Sequence, residues 1–134
     1  MSNSVESLIN AARQVRENSV SPFSKFKVGA ALETDADEII KGCNIENASY
    51  SLTICAERTA IFKAVSDGKR RFQRIVIVAD TPNLTPPCGA CRQIIWEFCG
   101  DIAVILANLD GKTETFQMSE LLPKAFNSEF LAAE

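Results

Sequence analysis

A chain of 134 residues with 46% hydrophobic and 23% charged side chains is long enough for one packed core and too short for two, so a single domain over residues 1–134 is expected. A net charge of −3 gives no broad electrostatic reason to expect nucleic acid as a partner, and the basic run Lys69, Arg70, Arg71 and Arg74 reads as a solvated helix-to-strand connection. There is no histidine, so a metal site must use thiolates or carboxylates, and a proton carrier must be Asp, Glu, Tyr, Cys or Lys.

Met1-Ser2-Asn3-Ser4 has neither the basic start nor the apolar run of a secretory leader. No apolar stretch reaches the roughly 18 residues of a membrane helix. A soluble cytoplasmic protein is the expectation. Residues 3–17 read as an amphipathic helix, with Asn3 and Glu6 as a cap pair and Val5, Leu8, Ile9, Ala12 and Val15 at helical spacing. Val20-Ser21-Pro22-Phe23-Ser24-Lys25-Phe26 breaks it, because proline disfavours helix in the residue before it. From composition both Phe23 and Phe26 read as core, with a ring stacked on a base as the alternative.

Residues 27–33 read as a strand kept thin by Gly29-Ala30-Ala31, so that another backbone or a ligand can approach closely. Asp35-Ala36-Asp37 is a turn, and 38–43 is the returning strand. Asn44-Ile45-Glu46-Asn47-Ala48-Ser49-Tyr50 is polar loop, whose Asn and Glu groups suit sugar hydroxyls. A helix is expected over 55–67, with Ala56, Ala60, Ile61, Ala64 and Val65 inward and Gly68 as its stop. The run Arg74-Ile75-Val76-Ile77-Val78-Ala79 suits a strand buried on both faces. A loop to Pro87, a helix over 88–99 and a second buried strand over 102–107 follow, which implies a right-handed crossover and parallel pairing. Asn108-Leu109-Asp110-Gly111 is a turn, 113–118 a fifth strand, and a short helical piece begins at Ser119.

The chemistry concentrates in Cys55-Ala56-Glu57-Arg58 and Pro87-Cys88-Gly89-Ala90-Cys91. Five cysteines cannot all pair within the chain, and clustered thiols in a reducing compartment point to metal or redox chemistry. Cys88 and Cys91 can hold one metal from a single turn. Cys55 would be a third ligand, leaving the open position that catalytic zinc needs. Glu57, two residues on, could reach a metal-activated water without being a ligand. Cys55 and Cys88 fall at helix starts, where the helix dipole favours thiolate. Spacing alone leaves three readings open: catalytic zinc, a structural zinc with a fourth ligand, and a redox pair. Cys99 lies about 12 Å along the same helix from Cys91 and cannot be that fourth ligand. Cys43 is harder to set aside, although both Cys43 and Cys99 look like apolar thiols.

Those motifs match the general pattern of zinc deaminases. The chain resembles the small homotetrameric cytidine deaminases over nearly its whole length. The resemblance rests on the runs 21–32, 42–50, 55–60 and 87–93, which include Ser21-Pro22-Phe23-Ser24, Asn44-Ile45-Glu46-Asn47, Cys55-Ala56-Glu57-Arg58 and Pro87-Cys88-Gly89-Ala90-Cys91. It implies an α/β fold, a three-layer α/β/α sandwich on a five-stranded mixed sheet. It also implies hydrolysis of cytidine and 2′-deoxycytidine to the uridines and ammonia, with one Zn2+ per subunit. By the same likeness Cys55, Cys88 and Cys91 bind zinc, and Glu57 is the proton shuttle. Phe26 packs on the base, Asn44 and Glu46 bind ribose, and backbone groups of Ala56 and Cys88 contact the pyrimidine. Tyr50 and Phe126 match positions contributed by neighbouring subunits, and Arg58 and Gln93 match partners of the thiolates. Phe23 stands where the family usually has tyrosine, at the cost of a local hydrogen bond. A nucleoside-antibiotic deaminase would share the zinc motifs but lack the Asn44–Asn47 sugar signature. An editing deaminase would want a basic groove, and a non-enzymatic zinc module would need no Glu57.

Overall fold

The apolar runs around Val28 and Ile75 become the centre of the sheet. In the computed structural model, which describes residues 3–131, β1 (Val28–Thr34) lies between β2 (Ile39–Cys43) and β3 (Phe72–Ala79). β4 (Ala103–Ala107) and β5 (Thr113–Gln117) complete the order β2-β1-β3-β4-β5. The β3–β4 pair is parallel and the other three pairs are antiparallel, giving the expected five-stranded mixed sheet. Residues 75–79 of β3 are buried throughout, as their unbroken β-branched run requires.

Alternation along each strand sends side chains to two different cores. Ala31, Val76, Val78, Ile105 and Ala107 meet Leu8 and Ala12 of α1 (Val5–Arg16). On the other face Ala30, Leu32, Ile75, Ile77, Val104 and Leu106 meet Ala60, Ile61 and Ala64 of α2 (Ala56–Ser66) and Ile95 of α3 (Gly89–Cys99). This is the three-layer α/β/α arrangement. A short α4 (Met118–Leu121) follows β5 and places Met118 in the second core. α2 ends as the sequence suggests. Gly68 takes φ +87°, and the N–H groups of Gly68 and Lys69 close on the carbonyls of Val65 and Ala64.

Two expectations fail at the start of the chain. Asn3 does not cap α1 with Glu6. Ser4 is the cap, its hydroxyl accepting the Ser7 N–H at 3.1 Å. Asn3 is drawn instead to Glu33, which is fully buried and accepts the Asn3 backbone and amide N–H groups at 3.1 and 2.8 Å and Arg74 Nε at 2.7 Å. A buried carboxylate needs several donors, and that demand outweighs the local cap. Phe23 and Phe26 are not core either, at 49% and 39% exposed. The loop after α1 leaves both rings outside the two core clusters. Met1 and Ser2, on which part of the leader argument rests, and residues 132–134 lie outside the described residues.

The thin strand has a specific purpose. A Cβ on Gly29 would lie 2.0 Å from the Ala12 carbonyl oxygen, and one on Gly42 would lie 2.4 Å from the Ala60 backbone nitrogen. The two glycines let α1 and α2 press on the sheet from opposite sides. Gly29→Ala and Gly42→Ala are each expected to lower stability by at least the ~1–3 kcal/mol of an overpacked core. Urea unfolding of each variant measures this. An unchanged midpoint would mean that the helix can lift away freely.

Candidate active site

Both helix starts on the α2/α3 face carry a cysteine in a non-helical conformation. Cys55 is the N-cap of α2 with φ −75° and ψ 157°, and Cys88 is the N-cap of α3 with φ −67° and ψ 168°. Cys91 sits one turn into α3, fully buried, and its N–H donates to Cys88 Sγ at 3.5 Å. The two helix N-termini are brought together because α2 and α3 pack against each other in the same core. As a result the three sulfurs all lie within 4.8 Å of one another. Among the described residues no fourth His, Cys, Asp or Glu joins this group, and Cys43 and Cys99 lie outside it. Three soft thiol donors at that separation, at two positive helix ends and with one position open, fit a zinc ion in the catalytic rather than the structural pattern.

Charge compensation is built in on one side. Arg58 Nη2 donates to Cys55 Sγ at 3.4 Å. The Cys55 thiol is pulled down, chiefly by its hydrogen bond with Cys91 and also by Arg58. The Cys91 thiol is pushed up by that same bond and by burial. Gln93 departs from its expected role. Its amide donates to the Phe126 carbonyl at 2.8 Å, which ties the C-terminal segment to α3 instead of touching a thiolate. An unforeseen arginine does related work. Arg92 donates to the Pro87 and Leu121 carbonyls, both at 2.8 Å, and so anchors the loop that delivers Cys88. An Arg next to a Cys-x-x-Cys carries no signal of this, because both acceptors are main chain.

Glu57 faces the same space from α2. It is 5% exposed, and burial, with the nearby Cys55 charge, pushes its carboxyl up to about 7. The cavity beside the thiols measures about 170 Å³ and is walled by Phe26, Asn44, Cys55, Ala56, Glu57 and Cys88, with Thr53, Ile77, Thr85 and Pro86 among the rest. Ala56 opens α2, so its N–H belongs to the first turn, whose donors have no partner inside the helix. Thr85 and Pro86 escaped the sequence reading, and Thr53 stood in the central stretch, just before Cys55, without a role of its own. They bear no distinctive motif and enter only because two loops meet over the strand ends.

A wider, more open hollow of about 400 Å³ adjoins this cavity at Thr53 and is lined by Phe23, Ser24, Glu46, Tyr50 and Thr53. The chemistry belongs to the smaller cavity, because Cys55, Cys88 and Glu57 line it. The pairing of Ile45 with Val20 and Ile54 extends the chain here and puts Asn44 and Glu46 on the same side of it. Asn44 is 8% exposed, accepts the Val28 N–H at 2.9 Å, and donates to the Phe26 carbonyl at 2.7 Å. Glu46 accepts the N–H groups of Phe23 and Ser24 at 2.9 and 3.1 Å. Tyr50 and Phe126 do not line the thiol cavity of their own chain. Tyr50 is 72% exposed against the edge of Phe23, and Phe126 stacks on Phe130 with ring centres 5.6 Å apart.

Comparison with known proteins agrees with this geometry. Residues 2–107 match the family described as the cytidine and deoxycytidylate deaminase zinc-binding region. The cytidine deaminase of Sporosarcina psychrophila is 54% identical over 129 residues, covering 96% of this chain and 95% of the relative. That of Halalkalibacterium halodurans is 54% identical over 123 residues, covering 91% and 93%. The crystal structure of cytidine deaminase from Burkholderia pseudomallei superposes with a TM-score of 0.90 at 44% identity, over 92% of this chain and 100% of the other. With three thiols gathered at two helix ends, a buried carboxyl beside them and these relatives along nearly its full length, the chain belongs to the zinc-dependent cytidine and deoxycytidylate deaminase family.

Proposed function

We propose that this chain, as a single domain, hydrolyses cytidine and 2′-deoxycytidine to uridine and 2′-deoxyuridine with release of ammonia, in pyrimidine salvage. One observation carries the reading: the buried Glu57 carboxyl shares a cavity with Asn44 and with Cys55 and Cys88, two of the three clustered thiols. Cys55, Cys88 and Cys91 would hold one zinc ion. When bound, zinc acidifies a water and so supplies the nucleophile for C4 of the base. Arg58 offsets the negative charge that three thiolates accumulate.

Glu57 has the proton work. It accepts a proton from the attacking water and delivers it to ring nitrogen N3. It then carries the remaining hydroxyl proton to the amino group, which leaves as ammonia while the C4 carbonyl forms. A carboxyl held near 7 can both take and give a proton at neutral pH. Phe26 at the cavity wall packs on the base. The free backbone N–H of Ala56, and main-chain groups of Cys88, contact the pyrimidine edge. Asn44 and Glu46 read the sugar. The test is cytidine loss followed by absorbance, with zinc measured on the same sample. A zinc-loaded protein that leaves cytidine untouched would overturn the reading in favour of a zinc-binding module.

The chain works as a cytoplasmic homotetramer in this proposal. Among the described residues no helix is long and apolar enough to cross a membrane, and the five cysteines are unpaired, which suits a reducing compartment. Tyr50, Leu52, Phe126 and Phe130 are exposed by 72, 63, 52 and 70%. Apolar side chains left in solvent are covered if neighbouring chains pack there. Tyr50→Ala should then weaken assembly or raise KM while leaving zinc in place. Light scattering of the active protein decides: full activity at the chain mass of 14.6 kDa would exclude sites shared between subunits.

A further inference from the structure

The loop after α1 does more than separate a helix from a strand. Ser24 stands at a junction in it. Its hydroxyl oxygen accepts the Phe26 backbone N–H at 3.0 Å, and its proton is donated to Glu46 Oε2. The other oxygen of Glu46 takes the Phe23 and Ser24 backbone N–H groups at 2.9 and 3.1 Å. A carboxylate offers about four lone-pair sites. Three donors therefore leave it room for one more, in the hollow it lines with Thr53. The Ser24 hydroxyl is the foremost cause holding the Glu46 carboxyl below its ordinary value, which keeps it an acceptor.

The second polar residue is fixed with the opposite sign. Asn44 Oδ1 is taken by the Val28 N–H at 2.9 Å and by the Ser19 hydroxyl at 2.5 Å. Its Nδ2 gives one hydrogen to the Phe26 carbonyl at 2.7 Å and keeps one. Asn44 is thus a donor and Glu46 an acceptor. Both the N–H and the C=O of Phe26 are held within this one network.

We infer that Ser24 is a positioning residue for substrate binding: its hydroxyl, held between the Phe26 N–H and the Glu46 carboxylate, sets the sugar-reading carboxylate in register with the base-packing ring. The inference rests on the nucleoside reading proposed above. Ser24 touches no reacting atom. It acts on substrate through Glu46 and Phe26, so its loss should appear in binding more than in chemistry. Ser24 itself is exposed, and trimming it opens no cavity in the core.

The experiment is a double-mutant cycle on the zinc-loaded enzyme with cytidine, using Ser24→Ala, Glu46→Gln and the two together. A hydrogen bond to a charged group corresponds to about a tenfold or larger change in affinity. Ser24→Ala should raise KM by about that factor, with kcat, zinc content and melting temperature nearly unchanged. In the Glu46→Gln background the same change should add less than about twofold, because neighbours in one network are non-additive. Ser24→Thr, which keeps the hydroxyl, should restore most of the affinity lost in Ser24→Ala. Full additivity of the two substitutions, or no recovery with threonine, overturns the assignment while leaving the deaminase reading intact. A wild-type enzyme inactive on cytidine overturns both.

Discussion

Glu57→Gln is expected to keep the fold and the zinc and to lose nearly all turnover. The amide has almost the shape of the carboxyl, so the packing at the start of α2, where residue 57 is buried, should survive. What it lacks is a site that takes a proton and returns it. General acid–base assistance from one positioned group contributes about 10²–10⁴-fold. Glu57 serves twice in the proposed sequence, at N3 and at the leaving amine, so kcat should fall by at least that range. Burial alone favours the neutral carboxyl, and the wild-type group sits near 7, where both forms are populated at neutral pH. Glutamine removes that exchange at every pH. The check pairs kcat with zinc stoichiometry and melting temperature on one sample. Activity within a few-fold of wild type would place the proton carrier elsewhere, and histidine is not available as the alternative.

The second large effect concerns the metal. Cys55→Ala, Cys88→Ala and Cys91→Ala should each drop zinc far below one per chain and abolish deamination. The three sulfurs lie within 4.8 Å of one another, and with no fourth donor among the described residues the loss of any one leaves only two ligands. Metal affinity in such a site is partly folding free energy. Cys91→Ala should therefore also lower the melting temperature most, because Cys91 is buried and Cys88 is exposed. Cys99→Ala is the control. Burial pushes its thiol up to about 12, it packs against the α2/α3 core, and it lies outside the group, so both zinc and activity should persist. Full zinc retention in Cys55→Ala would eliminate the three-cysteine site. Metal analysis of dialysed protein reads all four variants directly.

The sequence alone determined the elements and the reactive groups. The short unbroken apolar runs around Ile75 and Val104, rich in β-branched residues, suit strands buried on both faces, and Ala60, Ile61 and Ala64 repeat at helical spacing. The strand–helix–strand order implied the parallel β3–β4 pair, because the intervening helix carries the chain back to the end of the sheet where β3 began. The absence of histidine narrowed the metal ligands to thiolates or carboxylates, with the clustered cysteines foremost. Local chemistry decides each of these, and local chemistry is what a sequence contains. Tertiary structure decided the rest. Asn3 left its local cap for Glu33, a residue 30 positions away, because a fully buried carboxylate takes any donor within reach. Phe23 and Phe26 read as core by composition, yet their rings border the two hollows, Phe23 the wider and Phe26 the one beside the thiols. Gln93 lost its expected place to the Phe126 carbonyl, and Arg92 gained one through main-chain acceptors that no side-chain pattern announces. Ser24 shows the same limit most clearly. A serine in a turn is ordinary in sequence, and only the return of Glu46 to that turn, 22 residues later, makes its hydroxyl a link between two parts of the site. Contacts between distant segments depend on how the layers stack, and that is settled by the whole core at once rather than by any stretch within it.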